Sequence, residues 1–77
     1  DKSYSIIVNG EENIVDLKEI SFEVLIKLSN LGVSDIRTFT ITFRRGHGNK
    51  PEGSLVEGES VKIKNGMVFN VIATYKS

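Results

Sequence analysis

Apolar and polar residues alternate at both ends of this chain, and only one short stretch between them changes to helical spacing. An alternating strand has one face to bury, and a short amphipathic helix has one stripe. Each must therefore cover the other. At the start, Tyr4, Ile6 and Val8 lie two apart, and Asn9-Gly10 follows at once. Both residue types tolerate the positive φ that a two-residue hairpin needs at its centre. Glu11 to Leu17 then reads as the returning strand, with Ile14, Val15 and Leu17 as its apolar residues.

The period changes at Ser21, whose hydroxyl can accept from an unpaired N–H of a first helical turn. Glu23 sits where the helix dipole favours a negative charge. Phe22, Leu25 and Ile26 form the stripe, Leu28 flanks it, and Ile20 can pack on Leu25 or Ile26 as a hydrophobic staple does. Asn30 and Gly32 are stop signals. A helix of about nine or ten residues is unstable alone in water, so it lies against a sheet.

Val33 to Thr38 reads as a connector, and Phe39, Ile41 and Phe43 then alternate with Thr40, Thr42 and Arg44 as a strand. Residues 46–53 hold three glycines and the only proline, the composition of a surface loop. Leu55-Val56 is a brief apolar anchor and Glu57-Gly58 a turn. Val61 and Ile63 mark another strand. Asn65-Gly66 repeats the hairpin signal before a last strand with Met67, Phe69, Val71 and Ala73 on one face.

The order strand, strand, helix, strand, strand, strand predicts an α+β protein. Its simplest arrangement is a β-grasp: a mixed sheet of four to five strands, with the helix on one face and the first and last strands parallel neighbours at the centre. The expected core is Tyr4, Ile6, Val8, Val15, Leu17, Phe22, Leu25, Ile26, Phe39, Ile41, Phe43, Leu55, Val61, Ile63, Phe69 and Val71. Seventy-seven residues hold one such domain, with 74–77 expected as a flexible tail. The chain opens on Asp1 rather than Met, so we expect it to be a piece of something longer.

Charge and composition narrow the chemistry. Ten Lys and Arg balance ten Asp and Glu, which removes the electrostatic footprint of a nucleic-acid or anionic-membrane binder. No apolar run approaches the ~18 residues of a membrane span, and no signal-peptide pattern opens the chain. Without Cys there are neither disulfides nor thiolate metal sites, which suits a cytoplasmic setting. His47, between two glycines and without a companion His or Cys, reads as a loop residue rather than a base or ligand. The run from Gly46 to Lys50 fails the Walker pattern in spacing and context, because a strand follows it. No catalytic, cofactor-binding or metal residue is assigned, and an enzyme is not expected.

Binding is the remaining class. Arg44, Arg45, His47 and Lys50 form a basic cluster that is either a solvated strand end or a contact for an acidic partner. If Ile6 and Phe69 point inward, Ile7, Val68 and Ile72 point outward, with Thr42 beside them. Ile7, Thr42, Arg44, Val68 and Ile72 are thus the candidate partner-binding face, though scattered apolar surface also occurs without function. Thr74, Tyr75, Lys76 and Ser77 run straight out of the last strand. They are either a frayed terminus or a segment able to thread into an enzyme.

Val8-Asn9-Gly10, the run Lys18 to Glu23, the contiguous stretch Gly48 to Lys62 and Gly66 to Val71 resemble the bacterial multiubiquitin domain over nearly the whole chain. The resemblance implies a ubiquitin-like modifier, often present in tandem copies. Such modifiers are encoded beside ubiquitin-activating (E1-like) and conjugating (E2-like) enzymes and a processing peptidase, in bacterial operons with roles such as phage defence. The modifier's C-terminal carboxylate is activated, passed to an enzyme cysteine and joined to a target protein, so the modifier itself needs no catalytic group. Two departures stand out. Tyr75-Lys76-Ser77 replaces the Gly-Gly of ubiquitin, which leaves open which of residues 73 to 77 is joined. Thr42 stands nearest the centre of ubiquitin's recognition patch, which predicts a smaller, more polar surface. The competing readings are a module that assembles arrays or filaments through sheet edges, and an interaction domain without conjugation.

Overall fold

Nine residues from Met67 to Tyr75 form the longest strand among the described residues, and the rest of the fold is arranged around it. The computed structural model describes residues 3–29 and 37–75. Strands β1 (Tyr4–Val8) and β2 (Glu11–Val15) form the first hairpin, with Tyr4 opposite Val15 and Val8 opposite Glu11. A three-residue strand β3 (Glu19–Ser21) leads into helix α1 (Phe22–Ser29). Then come β4 (Arg37–Arg44), β5 (Gly53–Leu55), β6 (Ser60–Lys62) and β7 (Met67–Tyr75). The main sheet has the order β2-β1-β7-β4-β5, and β3 and β6 pair in a separate small sheet. Among the described residues only β1 and β7 are parallel, with Ile6, Ile7 and Val8 beside Met67, Val68 and Phe69. The fold is α+β and the sheet mixed, as the β-grasp expectation has it.

Side-chain amides extend the parallel ladder at both ends. Asn9 takes the left-handed conformation, φ 51°, and donates its own backbone N–H to the Phe69 carbonyl at 3.0 Å. Its Oδ1 accepts from Val71 N at 2.7 Å, and its Nδ2 donates to Val71 O at 3.1 Å. Asn9 therefore serves as turn residue and as a continuation of β1. At the other end, Ser5 N donates to Asn65 Oδ1 at 2.8 Å, and Gly66 N donates to Ser5 O at 2.7 Å.

The helix begins as its sequence requires: Ser21 Oγ accepts from Val24 N at 3.2 Å, the expected N-cap bond. The Phe22 N–H, which has no partner within the helix, donates to Glu59 O at 3.0 Å. This joins the helix start to the Val56–Glu59 turn. The helix packs on β1, β7 and β3. Phe22 and Leu25 are buried beneath it among Ile6, Val8, Ile41, Phe43, Leu55, Ile63, Phe69 and Val71. Phe43 and Phe69, cross-strand partners, set their rings 6.2 Å apart at 48°, a tilted packing favoured by the ring quadrupoles.

Several local expectations are corrected. Leu17 is 42% exposed rather than core, because β2 ends at Val15 and the chain turns away. Ile20 and Met67, outside the expected core, are fully buried. Tyr4, Val15, Ile26, Phe39 and Val61 are half-buried against the core rather than inside it. Gly53, expected in the loop, begins a true strand, β5, that ends at Leu55 and pairs with β4. Asn65-Gly66 does not close a hairpin, since β6 pairs with β3; it carries the chain from the small sheet to the centre of the large one. Asn30, Gly32 and residues 33–36 of the connector lie outside the described residues, whereas Thr38 belongs to β4.

Two substitutions test this frame by urea unfolding. Phe69→Ala should cost about 3–5 kcal/mol, the range for emptying a buried aromatic site. Asn9→Ala should cost about 3 kcal/mol, from two lost hydrogen bonds and a left-handed alanine. Asn9→Gly should cost about 1 kcal/mol less, since glycine removes only the second penalty. Equal losses for the two Asn9 variants would show that the conformation matters less than the amide.

Candidate functional site

The outward side chains of the large sheet lie in cross-strand rows set by the register. One row runs Glu12–Ile7–Val68–Arg44 across β2, β1, β7 and β4. Ile7 and Val68 are half-buried, a small apolar pair between an exposed carboxylate and an exposed guanidinium. Glu12 is tied down locally, because Ser5 Oγ donates to its Oε2 at 2.5 Å. The next row is polar: Asn70–Thr42–Ser54. Ile72, 55% exposed, stands beside Thr40 in the row beyond.

The five candidate face residues thus divide. Ile7, Val68 and Arg44 come together, Thr42 adjoins them, and Ile72 is set apart behind Asn70. At about 3.3 Å per strand residue, Ile72 is some 13 Å from Val68 along β7. Strand alternation could place these residues on one face but could not supply the register that sets Arg44, rather than Thr42, beside Val68.

Thr74 and Tyr75, expected in the tail, are paired strand residues at the backbone, opposite Thr38 and Arg37. Lys76 and Ser77 lie outside the described residues. Because β7 sits between β1 and β4, the backbone leading to this end is held on both sides over its first half and by β4 to Tyr75.

The loop after β4 is more ordered in its bonding than glycine content suggests. His47 Nε2 is 3.1 Å from Ile63 O. A carbonyl only accepts, so Nε2 carries the proton and the imidazole pins the loop to the end of β6. Gly46 N donates to Pro51 O at 2.8 Å and Lys50 N to His47 O at 3.0 Å. A side chain at Gly46 would press on Met67 Cε at 3.1 Å and on two backbone carbonyl oxygens at 3.2 Å, so the site is tightly enclosed. His47, Lys50, Ser54, Glu19, Glu59 and Lys62 are among the residues around an open groove of about 580 Å³ between this loop and the small sheet. Its charges are of both signs. Among the described residues no group of three or more His, Cys, Asp or Glu could hold a metal ion. None of their helices is long and apolar enough to cross a membrane.

Comparison with known families matches the multiubiquitin family model to residues 4–75. Neither the curated proteins nor the solved structures gave a match.

The separated rows make a prediction for double-mutant cycles read by chemical unfolding. Ile7→Ala and Val68→Ala, direct neighbours, should couple by about 0.5 kcal/mol or more. Val68→Ala and Ile72→Ala should add within about 0.5 kcal/mol. Ile72→Ala alone should cost under about 1 kcal/mol, as exposed sites do; a loss above about 2 kcal/mol would contradict its outward placement.

Proposed function

The chain belongs to the multiubiquitin family, and from that premise we propose that it is a ubiquitin-like protein modifier, or one module of a tandem polymodifier. In this reading an E1-like enzyme adenylates its C-terminal carboxylate and an E2-like enzyme receives it. A processing peptidase sets the terminus, and the product is a bond to a target protein. The setting is the bacterial cytoplasm, in a conjugation system such as those of phage defence. The chain supplies no catalytic residue, cofactor or metal; it is the substrate of other proteins' chemistry.

The observation that carries the reading is the placement of β7. A tail that must reach a distant active site works best when its root is rigid, because orienting a reacting group in advance removes entropy from the reaction step. Here the root is the central strand, paired on both sides and buried through Met67, Phe69 and Val71. Ile7, Val68 and Arg44, with Thr42 and Ile72 further along, supply the docking face, and residues 74–77 supply the conjugation tail.

A second reading has modules assemble through their sheet edges. It draws on β2, whose outer edge is unpaired among the described residues and whose Ile14 is 63% exposed. Size-exclusion chromatography across a hundredfold range of concentration separates the two, since a free modifier should not shift.

Removing Tyr75–Ser77 should abolish adenylation by the cognate E1-like enzyme. The Tm should change little, because Arg37–Tyr75 is the only described strand pair lost. Full adenylation of the shortened chain would reject the tail assignment.

A further inference from the structure

Among the described residues two that are not glycine have a positive φ, and they are not alike. Asn9 earns its conformation through the two bonds its amide makes to Val71. Arg45, at φ 62°, has no such return. It is exposed, and among the described residues its guanidinium makes neither a hydrogen bond nor an ion pair. The backbone does need the left-handed turn here. It closes β4 and lets the next residue, the tightly enclosed Gly46, donate to Pro51 O. Glycine or asparagine would meet that need with less strain. Arginine therefore satisfies no local requirement visible in the fold, and strain kept without local benefit points outward, to a contact.

Its surroundings say what kind. Arg45 directly follows Arg44, which closes the row holding Ile7 and Val68. Lys64, also exposed, lies in the turn that leads into β7 at the same end of the sheet. The nearby carboxylate, Glu12, stands at the far side of the apolar pair and is engaged by Ser5. The result is a small apolar step bordered on one side by cations without a partner among the described residues. A nucleic acid would want basic charge spread over a larger surface, and this chain has a net charge of zero. Arg44, in the row of Ile7 and Val68, with Arg45 next to it in the chain, fits carboxylates set next to an apolar side chain.

We propose that Arg44 and Arg45, with Ile7 and Val68, form a docking site for an acidic segment of a partner protein, and that Arg45 is retained in its left-handed conformation for this contact. The proposal rests on reading this face as the recognition surface. It lies at the opposite end of β7 from Tyr75, so the contact leaves the tail free.

The test is an NMR titration of the isotopically labelled chain with a synthetic decapeptide of alternating Glu and Leu. A Lys-for-Glu version and a single-stranded oligonucleotide serve as controls. Shifts should cluster at Ile7, Arg44, Arg45 and Val68 for the acidic peptide only. Affinity should fall roughly tenfold in Arg45→Gly and in Arg44→Ser. The Tm of Arg45→Gly should equal or exceed that of the parent chain. Scattered shifts, unchanged affinity in both variants, a stronger response to the oligonucleotide, or a large drop in the Tm of Arg45→Gly would overturn the proposal. The titration uses neither enzymes nor tail. Failure here with intact conjugation sinks only this contact, and success here without conjugation sinks only the modifier reading.

Discussion

The parallel pairing of β1 with β7 is the interaction on which the other features depend. It joins residues some sixty positions apart, so the entropy of closing the chain must be recovered by what the pairing buries and bonds. Three strand pairs alone are few for that task. Asn9 adds two side-chain bonds beyond one end, and Asn65 and Gly66 add two beyond the other. With β1 and β7 in register, Ile6, Val8, Met67, Phe69 and Val71 present one buried surface to the helix. The same register brings Ile7 and Val68 together on the opposite side. The core and the candidate docking face are two consequences of one alignment.

Much of this was legible in local patterns. Alternation identified β1, β4 and β7, and it separated their inward residues from their outward ones. Ser21 marked the helix start through the chemistry of an unpaired first turn. The parts that escaped were those created by distant partners. Ile20 looks like a residue before a cap, but it is buried because β3 finds β6 some forty residues later. Asn65-Gly66 has the composition of a hairpin turn and the geometry of a left-handed glycine, yet it links two different sheets. Local chemistry specifies that the chain turns there, not which strands it joins.

The same limit applies to the recognition face. Alternation placed Ile7, Val68 and Ile72 on one side with Asn70 between the last two, but only the cross-strand register shows that Arg44, and not Thr42, stands beside Val68. His47 is a related case: two flanking glycines suggested a loosely held ring, and its bond to Ile63 O could not be read from neighbours in sequence. The strain at Arg45 is likewise a property of the folded backbone, invisible until φ is known. What the family membership adds is a use for these features. Under the proposed modifier reading, a rigid central strand and a polar, lightly apolar face would serve a protein that is handled by others.

The claim at the centre is that other proteins act on the end of β7. Its most direct measurement is tandem mass spectrometry of the mature protein recovered from its native host. The expected spectrum contains branched or fused peptides in which a carboxylate from residues 73–77 is joined to an amine of a different protein. Peptides showing only an unjoined end, from cells in which the cognate enzymes are active, would contradict it.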